Sequence, residues 1–403
     1  MRWIFLCKLN PAGRYLTFGL FVSSMLGTLT LTVPVYHILL AVLFLFVCTV
    51  AGAAVFRPVL EVTVRFPESV SVNRPALFRI SVRNRGRFPV FDLSAGFFLL
   101  PAAVSVRKEA LVLNELKPGE SAELELVLVP RQRGFYELPS LEVFSLFPFH
   151  MWRNGPSKSV RSLVVFPEFT PLTSLGLEIG RRYQPGGMLY SSSIGESAEY
   201  IGNREYRPGD MLRKIDFRSW GRLARPAVKE YQEEYYCRIA LVLDTFVDPS
   251  ERRKQNGFPS LEAAVSLSAA VSHYISGGEY VLDIFAAGPD LYTFRSGRNI
   301  AHFKNVLEIL ACVRECRDNP FQTIAPAFVS ELSNITTVVF ILLDWDPARE
   351  SFVRHALECG AAVRNIIVRS TETTADYRGM DQSSCTFSAL TPEQISGRGV
   401  EAL

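Results

Sequence analysis

Two long apolar runs dominate the N-terminal part of the chain. Residues 15–33 and 35–56 contain no charged side chain. A helix over either run is long enough to cross the ~30 Å hydrocarbon layer of a bilayer. Two buried helices of a soluble protein would carry polar faces, which these runs lack. The pattern predicts a transmembrane hairpin over residues 1–57. A cleaved signal peptide is the alternative for the first run, but the second run follows at once and favours the hairpin.

The cations around the two runs predict their orientation. Arg2, Lys8 and Arg14 precede the hairpin, and Arg57 and Arg65 follow it, whereas the connector carries no cation. By the positive-inside rule, both ends of the hairpin lie in the cytoplasm. We therefore expect the N-terminus and everything after residue 57 to be cytoplasmic.

Between residues 58 and 168 the hydrophobic period changes to two. Phe78, Ile80 and Val82 alternate with polar residues, and so do the leucines between 124 and 128. Turn sequences rich in Pro, Gly and Asn separate such runs. Short alternating strands with this punctuation predict an antiparallel β-sandwich of immunoglobulin-like type.

The last part, residues 237–403, alternates short buried runs with amphipathic segments. The runs at 239–243, 281–286, 337–343 and 363–369 are typical of buried parallel strands. The segments at 261–275, 300–314 and 348–359 have helical spacing. Weaker strands are expected at 291–295 and 386–390. This alternation predicts a doubly wound α/β domain.

Residues 169–236 join these two parts as a linker followed by a charged segment. From residue 202 to 234, cations, carboxylates and aromatics alternate. Pro208 and Gly209 predict a turn, after which Asp210 caps a short helix that carries Leu212, Ile215 and Trp220 and ends before residue 226. Two interpretations stay open for this segment: a structural clasp of ion pairs, and a docking surface for another protein.

This segment resembles the signature of the Domain of Unknown Function 58 family. The usual run there is R-E-Y-x-P-G-D-x-x-R-x-I-D-W, followed by an Arg and then V-K-E. The corresponding residues are Arg204, Glu205, Tyr206, Arg207, Pro208, Gly209, Asp210, Arg213, Ile215, Asp216, Phe217, Arg222, Lys229 and Glu230. Phe217 replaces the usual Trp.

The resemblance extends to the layout of the whole chain and supplies further expectations. It implies a protein of the bacterial inner membrane with a C-terminal von Willebrand factor type A-like domain. It also implies a MoxR-type AAA+ ATPase as partner, but no reaction. We therefore expect a non-enzymatic scaffold or adaptor in the assembly or maturation of other proteins.

Two predicted strands end in aspartate, which marks a candidate metal site. Asp244 and Asp344 should emerge at the same edge of the sheet. The layout resembles the type A magnesium site, with Asp248 and Thr323 as further oxygen donors. Phe246, however, stands where that loop has its first Ser. The preferred interpretation needs no cofactor: the carboxylates either accept hydrogen bonds from helix N-terminal amides or pair with Arg204, Arg207, Arg213 or Arg218.

Composition narrows the remaining alternatives. A net charge of +3 argues against a dedicated nucleic-acid binder. The seven cysteines are odd in number and scattered, which fits a reducing compartment. A metal-dependent hydrolase at Asp244 and Asp344 is one alternative, although only five histidines are present. An envelope adhesion protein is another, and it requires an external C-terminal part.

Overall fold

A computed structural model describes residues 8–29, 33–177, 200–207, 215–231, 237–248, 250–251, 253–254, 257–278, 280–287, 291–296, 300–316, 319, 321–380, 385–397 and 399–403. The described residues fall into two compact units. The first unit lies between Met1 and Glu168, with short pieces at 255–257 and 307–312. The second takes the described residues of 169–254, 258–306 and 313–403.

The first unit begins with two helices, α1 (Pro11–Leu29) and α2 (Val33–Val55). Near the connector, the Tyr36 hydroxyl donates a hydrogen bond to the Gly27 carbonyl at 2.9 Å. At the opposite ends, Asn10 and Thr49 both contact Met151, so the helices run antiparallel. Among the described residues one helix, α2, is long and apolar enough to span a membrane.

Short strands build the rest of the first unit. They are β1 (Leu60–Arg65), β2 (Ser69–Ser71), β3 (Ala76–Asn84), β4 (Val90–Gly96), β5 (Val104–Lys108), β6 (Leu113–Leu116), β7 (Ser121–Pro130), β8 (Gly134–Tyr136), β9 (Leu141–Ser145), β10 (Ser157–Lys158) and β11 (Leu163–Phe166). Two four-stranded sheets have the orders β1-β3-β7-β5 and β10-β9-β4-β6, and a small third sheet has the order β2-β11-β8.

One apolar core joins the two larger sheets. Phe78 on β3 and Leu93 on β4 belong to the same buried cluster, with Leu126 and Val143 from β7 and β9. Along β3 every second residue is buried, as the sequence alternation predicts. The sheet-rich β domain is therefore confirmed, and it has the two packed layers of a sandwich.

The second unit contains a two-stranded sheet, a six-stranded sheet and the helices around them. The strands are β12 (Tyr200–Glu205), β13 (Ala227–Tyr231), β14 (Cys237–Leu243), β15 (Tyr280–Ala287), β16 (Leu291–Ser296), β17 (Thr337–Leu342), β18 (Ala362–Val368) and β19 (Cys385–Leu390). The helices are α3 (Phe217–Leu223), α4 (Pro259–Ser276), α5 (Ile300–Cys312), α6 (Phe321–Leu332), α7 (Pro347–Glu358) and α8 (Pro392–Gly397), with a 3₁₀ turn at Arg378–Met380. Of α5, residues 307–312 are counted with the first unit.

The large sheet has the doubly wound arrangement. Its strand order is β16-β15-β14-β17-β18-β19, which is 3-2-1-4-5-6 in chain order. The pairs β15–β14, β14–β17, β17–β18 and β18–β19 are parallel, and the edge strand β16 is antiparallel. Every residue of β17 is buried, because helices cover both faces of such a sheet.

Helix α6 is an element that the sequence reading missed. The sequence pattern predicts no helix between the segment at 300–314 and the strand at 337–343, whereas Thr323 lies inside α6. Pro326 within the helix obscures the pattern, since Pro ordinarily breaks helices. The apolar spacing of Ile324, Phe328 and Leu332 nevertheless buries one face in the core of the second unit.

The predicted linker starts with a packed segment. Thr173 donates a backbone hydrogen bond to the Glu401 carbonyl at 2.7 Å, and Ser174 forms a parallel bridge with Ala402. Leu172 and Leu175 are buried. Residues 169–177 therefore belong to the second unit, whereas residues 178–199 of the linker lie outside the described residues.

Candidate functional site

The carboxyl edge of the large sheet brings Asp244 and Asp344 to neighbouring strand ends. Asp244 follows β14 directly, and its backbone N–H donates to the Ile341 carbonyl of β17 at 2.9 Å. The Leu343 N–H donates to Asp244 Oδ2 at 2.9 Å. Asp344 follows in the same chain segment. Both carboxylates lie at this edge because parallel strands end on one side of a sheet.

A buried arginine from α7 neutralises Asp244. Arg349 Nε donates to Asp244 Oδ2 at 2.7 Å, and both side chains are almost completely buried. Arg349 also pairs with Asp346, which caps the first turn of α7, and donates to the Phe246 carbonyl at 3.2 Å. Burial works against the charge of Arg349, but the charge and hydrogen bond of Asp244, together with the charges of Asp346 and Asp344, raise the pKa of the guanidinium.

A second arginine, Arg369, joins the other two carboxylates. It follows β18, the neighbour of β17, and donates to Asp248 Oδ2 at 2.9 Å. It also forms an ion pair with Asp344. Hydrogen bonds from Ser250, assisted by Arg369, lower the pKa of Asp248. These contacts form a network that we call the rim network: Asp244, Asp248, Asp344, Asp346, Arg349 and Arg369.

Asp344 shows how the rim network favours charged carboxylates. Its Oδ2 accepts from the Thr374 hydroxyl at 2.6 Å, and its Oδ1 accepts from the Thr374 and Trp345 N–H groups at 3.0 and 2.7 Å. Burial alone would raise the pKa of Asp344. The hydrogen bonds from Thr374 and Trp345 and the charge of Arg369 together hold the pKa of Asp344 below its usual value.

The rim network does not fit a magnesium site. Asp244 Oδ1 accepts from the Phe246 N–H at 2.9 Å, and its Oδ2 accepts from Leu343 and Arg349, so internal donors occupy both oxygens. The Arg349 guanidinium, 2.7 Å from Asp244 Oδ2, already supplies the positive charge that a magnesium ion would bring. The described residues contain no group of three or more His, Cys, Asp or Glu that could hold a metal. The Thr323 side chain lies outside the described residues.

The described contacts to Asp244 and Asp344 come from Arg349 and Arg369, which the sequence did not single out. Arg213 and the side chain of Arg204 lie outside the described residues, so a pairing of the signature arginines with the rim stays a prediction. A signal for Arg369 was available. It follows a buried parallel strand, so the rule that places Asp244 at the edge also places Arg369 there. Arg349 gave no such signal, because its burial depends on how α7 packs.

The signature segment forms a hairpin with a short helix between its strands. β12 and β13 pair antiparallel, with Glu205 opposite Ala227, Arg204 opposite Val228, Asn203 opposite Lys229 and Gly202 opposite Glu230. The Tyr206 N–H donates to the Pro226 carbonyl at 2.9 Å and continues the ladder. α3 lies between the two strands in the chain.

Asp216 organises this hairpin. Its side chain caps α3 by accepting from the N–H groups of Arg218 and Ser219 at 3.1 and 3.2 Å. Asn203 on β12 and the Ser219 hydroxyl each donate to Asp216 Oδ2 at 2.8 Å. The hydrogen bonds from Asn203 and Ser219 lower the pKa of Asp216 to about 2. One carboxylate thus ties the helix to the strand.

This geometry corrects the predicted helix. α3 begins at Phe217 and is capped by Asp216, whereas the sequence reading started the helix at Asp210. Ile215, placed on that helix, is extended and forms a bridge with Val228. Pro208, Gly209, Asp210, Leu212 and Arg213 lie outside the described residues. Asn203 and Ser219 were missed, because their roles appear only when the hairpin closes.

The outer face of α3 exposes aromatic and cationic side chains. Phe217 and Trp220 are stacked with ring centroids 6.0 Å apart, and they are 70% and 39% exposed. Arg218 and Arg222 are exposed on the same short helix. We call Phe217, Trp220, Arg218 and Arg222 the α3 patch. Trp and Arg are the residues most enriched at the energetic centres of protein interfaces.

Comparisons with known proteins add a family and distant structural similarities. No curated protein matches the chain. The crystal structure of the CARDB domain of the PF1109 protein from Pyrococcus furiosus, in complex with di-metal ions, is 20% identical, with 27% of this chain and 89% of that chain covered and a TM-score of 0.19. A protein of unknown function from Porphyromonas gingivalis W83 is 27% identical, covering 29% of this chain and 53% of that chain at a TM-score of 0.20.

Structural similarities at these TM-scores carry no argument about this chain. The sequence comparison is more informative, because its match spans the signature hairpin and continues to the rim. Residues 202–345 match the family model described as "Protein of unknown function DUF58". The match therefore makes this segment of the chain, from the signature hairpin to just beyond the rim strand β17, similar to the DUF58 family.

Proposed function

We propose that this protein is a non-enzymatic scaffold or adaptor tethered to the bacterial inner membrane. In this proposal its second unit is a von Willebrand factor type A-like domain in the cytoplasm. That domain recruits a MoxR-type AAA+ ATPase for the assembly or maturation of other proteins.

The tether is supported by the two N-terminal helices. α2 has 23 residues, is long and apolar enough to cross a bilayer, and buries little of its apolar stretch within the protein. α1 precedes α2 and runs antiparallel beside it, so two crossings in opposite directions would return the chain to its starting side. The cations that flank the pair in the sequence support a cytoplasmic placement of both ends.

The type A-like assignment is supported by the sheet order and by the rim. The strand order 3-2-1-4-5-6 with an antiparallel third strand is that of a doubly wound sheet, and an Asp follows the first strand. In this chain, Arg349 and Arg369 engage the rim carboxylates. A rim closed by internal ion pairs supports a binding role and gives no support to metal-assisted hydrolysis.

The α3 patch is the observation that carries the proposal. It lies in the segment that matches the family model, and it exposes Phe217 and Trp220 on a helix fixed by Asp216. A rigidly held aromatic pair loses little conformational freedom when a partner covers it. The partner's identity rests on the resemblance of the signature segment.

Co-purification from the native bacterium tests the proposal. Full-length tagged protein is extracted in mild detergent, and bound proteins are identified by mass spectrometry and assayed for ATP hydrolysis. We expect the wild-type chain to retain a AAA+ ATPase. Phe217→Ala/Trp220→Ala should weaken retention by about 2 kcal/mol or more, which is roughly thirtyfold.

Phe135→Ala is the matched control. Phe135 is an exposed phenylalanine on β8, outside the signature segment, and its loss should leave ATPase retention unchanged. If the wild-type protein retains no AAA+ ATPase, the proposed partner is wrong. Equal retention by the α3 patch variant and the control would overturn the docking surface.

A further inference from the structure

The loop between β9 and β10 lies against the ends of both N-terminal helices. We call residues Phe147–Trp152 the interfacial loop. The Asn10 N–H, just before α1, donates to the Met151 carbonyl at 3.0 Å, and Leu9 forms an antiparallel bridge with Trp152. Gly13 permits this approach, because a Cβ atom there would be 2.3 Å from the Met151 carbonyl oxygen.

The same loop packs along the last turns of α2. The Thr49 hydroxyl contacts Met151 Sδ at 3.6 Å. A Cβ atom at Gly52 would be 2.9 Å from Pro148 Cγ, so the loop touches the helix backbone there. Phe147 packs edge-on against Phe56 with ring centroids 5.0 Å apart. The loop therefore follows α2 for about two helical turns.

Ion pairs and hydrogen bonds fix this arrangement to the β-sandwich. Lys8 Nζ donates to Glu142 on β9 at 2.8 Å, and both side chains are largely buried. The Arg153 N–H donates to the Lys8 carbonyl at 2.7 Å, and its guanidinium lies 4.3 Å from the centre of the Phe98 ring. The β-sandwich and the helix ends thus form one packed structure without a flexible spacer.

The length of α2 sets the depth of the interfacial loop. Its 23 residues span roughly 34 Å, slightly more than the ~30 Å hydrocarbon layer. Thr49 is six residues before Val55, so it lies about 9 Å along the helix from its end. A loop that contacts Thr49 therefore reaches the level of the acyl chains when α2 spans the bilayer.

The composition of the loop suits that level. Its sequence, FPFHMW, contains no Asp, Glu, Lys or Arg. Trp and other amphipathic aromatics are favoured at the boundary between headgroups and acyl chains. Exposed Arg57 and Arg87 lie at the same end, since the N–H of neighbouring Arg85 donates to the Val59 carbonyl at 2.9 Å. Such cations are placed to contact lipid phosphates.

We propose that the interfacial loop is a third membrane element, which seats the β-sandwich directly in the lipid interface beside α1 and α2. Its binding partner is the bilayer itself: acyl chains at the loop and phosphate headgroups at the surrounding arginines. This inference rests on the membrane tether proposed above. It adds that the first domain is held at the bilayer surface and does not hang from a linker.

Photocrosslinking to lipid tests the inference. The full-length chain is reconstituted into nanodiscs of phosphatidylethanolamine and phosphatidylglycerol that carry a clickable acyl chain. p-Benzoylphenylalanine replaces one phenylalanine at a time: Phe149 of the interfacial loop, Phe44 of α2 or Phe135. These side chains are 40%, 71% and 51% exposed. Each variant is used only if it elutes like the wild type in gel filtration.

Phe135 is the matched negative control for lipid crosslinking, and Phe44 is the positive control. Phe135 lies on β8 of the same unit and follows the end of β7 closely in the chain. That end of β7 pairs with the start of β3, which is the end of β3 away from α2. The α2 end of β3 is Asn84, roughly 30 Å away along the strand. We expect lipid adducts at positions 44 and 149 and a several-fold lower yield at position 135.

If position 44 forms lipid adducts but the adduct yield at position 149 does not exceed that at position 135, the inference is wrong and the tether stands. Crosslinks from 149 to another protein instead of lipid would also overturn it. No lipid adduct at position 44 would refute the tether, and the inference would fail with it.

Discussion

The buried Arg349–Asp244 pair allows one sharp test of how the second unit is held together. The substitution is Arg349→Met, which keeps much of the side-chain volume but removes the charge. Arg349 and Asp244 are 2% and 0% exposed, and Nε lies 2.7 Å from Oδ2. The variant leaves the Asp244 carboxylate with the N–H groups of Phe246 and Leu343 and no neutralising cation.

The cost should be large because the remaining charge is buried. Breaking a buried ion pair by removing one partner typically costs about 3–5 kcal/mol. The matched control is Arg354→Met, on the same helix. Arg354 forms an exposed pair with Glu350 four residues earlier, and such a pair contributes about 0.3–0.5 kcal/mol. The two substitutions remove the same functional group and differ in burial.

Hydrogen–deuterium exchange of the full-length protein in detergent measures the effect locally. The most protected amides of β14 and β17 report opening of the sheet. We expect Arg349→Met to accelerate their exchange by roughly a hundredfold to a few thousandfold, since about 1.4 kcal/mol corresponds to a factor of ten. Arg354→Met should stay within about threefold of the wild type.

The double variant Asp244→Asn/Arg349→Met completes the cycle. Because it removes both charges, its loss of stability should be smaller than the sum of the single losses by about 0.5–3 kcal/mol. If Arg349→Met does not fold, recovery of a protected sheet in the double variant still supports the reasoning. Exchange in Arg349→Met that matches Arg354→Met would refute it, as would a double variant with fully additive losses.

Three further predictions follow from single contacts. The folded-state pKa of Asp344 is lowered, so its contribution to stability is present above the unfolded value of about 4 and is lost as pH falls through the lower folded value. The difference in thermal midpoint between wild type and Asp344→Asn, followed by Trp345 fluorescence, should therefore shrink between pH 7 and pH 3, and a constant difference would contradict this. Asp216→Ala removes the cap of α3 and the Asn203 contact, so the backbone amides of α3 should exchange with deuterium several-fold faster. The control Glu205→Gln affects an exposed ion pair with Arg225 at 3.6 Å and should leave that exchange unchanged. Gly155→Ala should destabilise the first unit, because the new Cβ would be 2.0 Å from the Val143 carbonyl oxygen, whereas Gly19→Ala has open space around it and should not. Denaturation monitored by limited proteolysis measures both variants, and equal effects would refute the steric reason.

Local sequence patterns were sufficient for the elements and their order. The alternation around Phe78 predicts a strand of the β-sandwich, and β3 buries every second residue. Uninterrupted apolar runs predict the parallel strands, and β17 is buried throughout. These patterns succeed because the periods of strands and helices are set by residues close together in the chain. α6 and the start of α3 are exceptions: Pro326 disturbs the local pattern of α6, and α3 is capped by Asp216 and not by Asp210.

The sequence also identified the family and half of the rim. The signature residues led to the DUF58 family, whose model matches residues 202–345. Asp244 and Asp344 were placed at one edge of the sheet by the rule for parallel strands. Their partners were not found, since Arg349 is 105 residues from Asp244 and its burial depends on the packing of α7.

The amino-acid sequence by itself thus determined where the helices and strands form, which faces they bury and which family the chain resembles. Only the tertiary structure decided that arginines close the sheet edge, that Asp216 joins α3 to β12, and that the interfacial loop packs on the helix ends. Each of these depends on a contact between residues distant in the chain. The free energy of such contacts comes from burial and charge pairing, which no local period encodes.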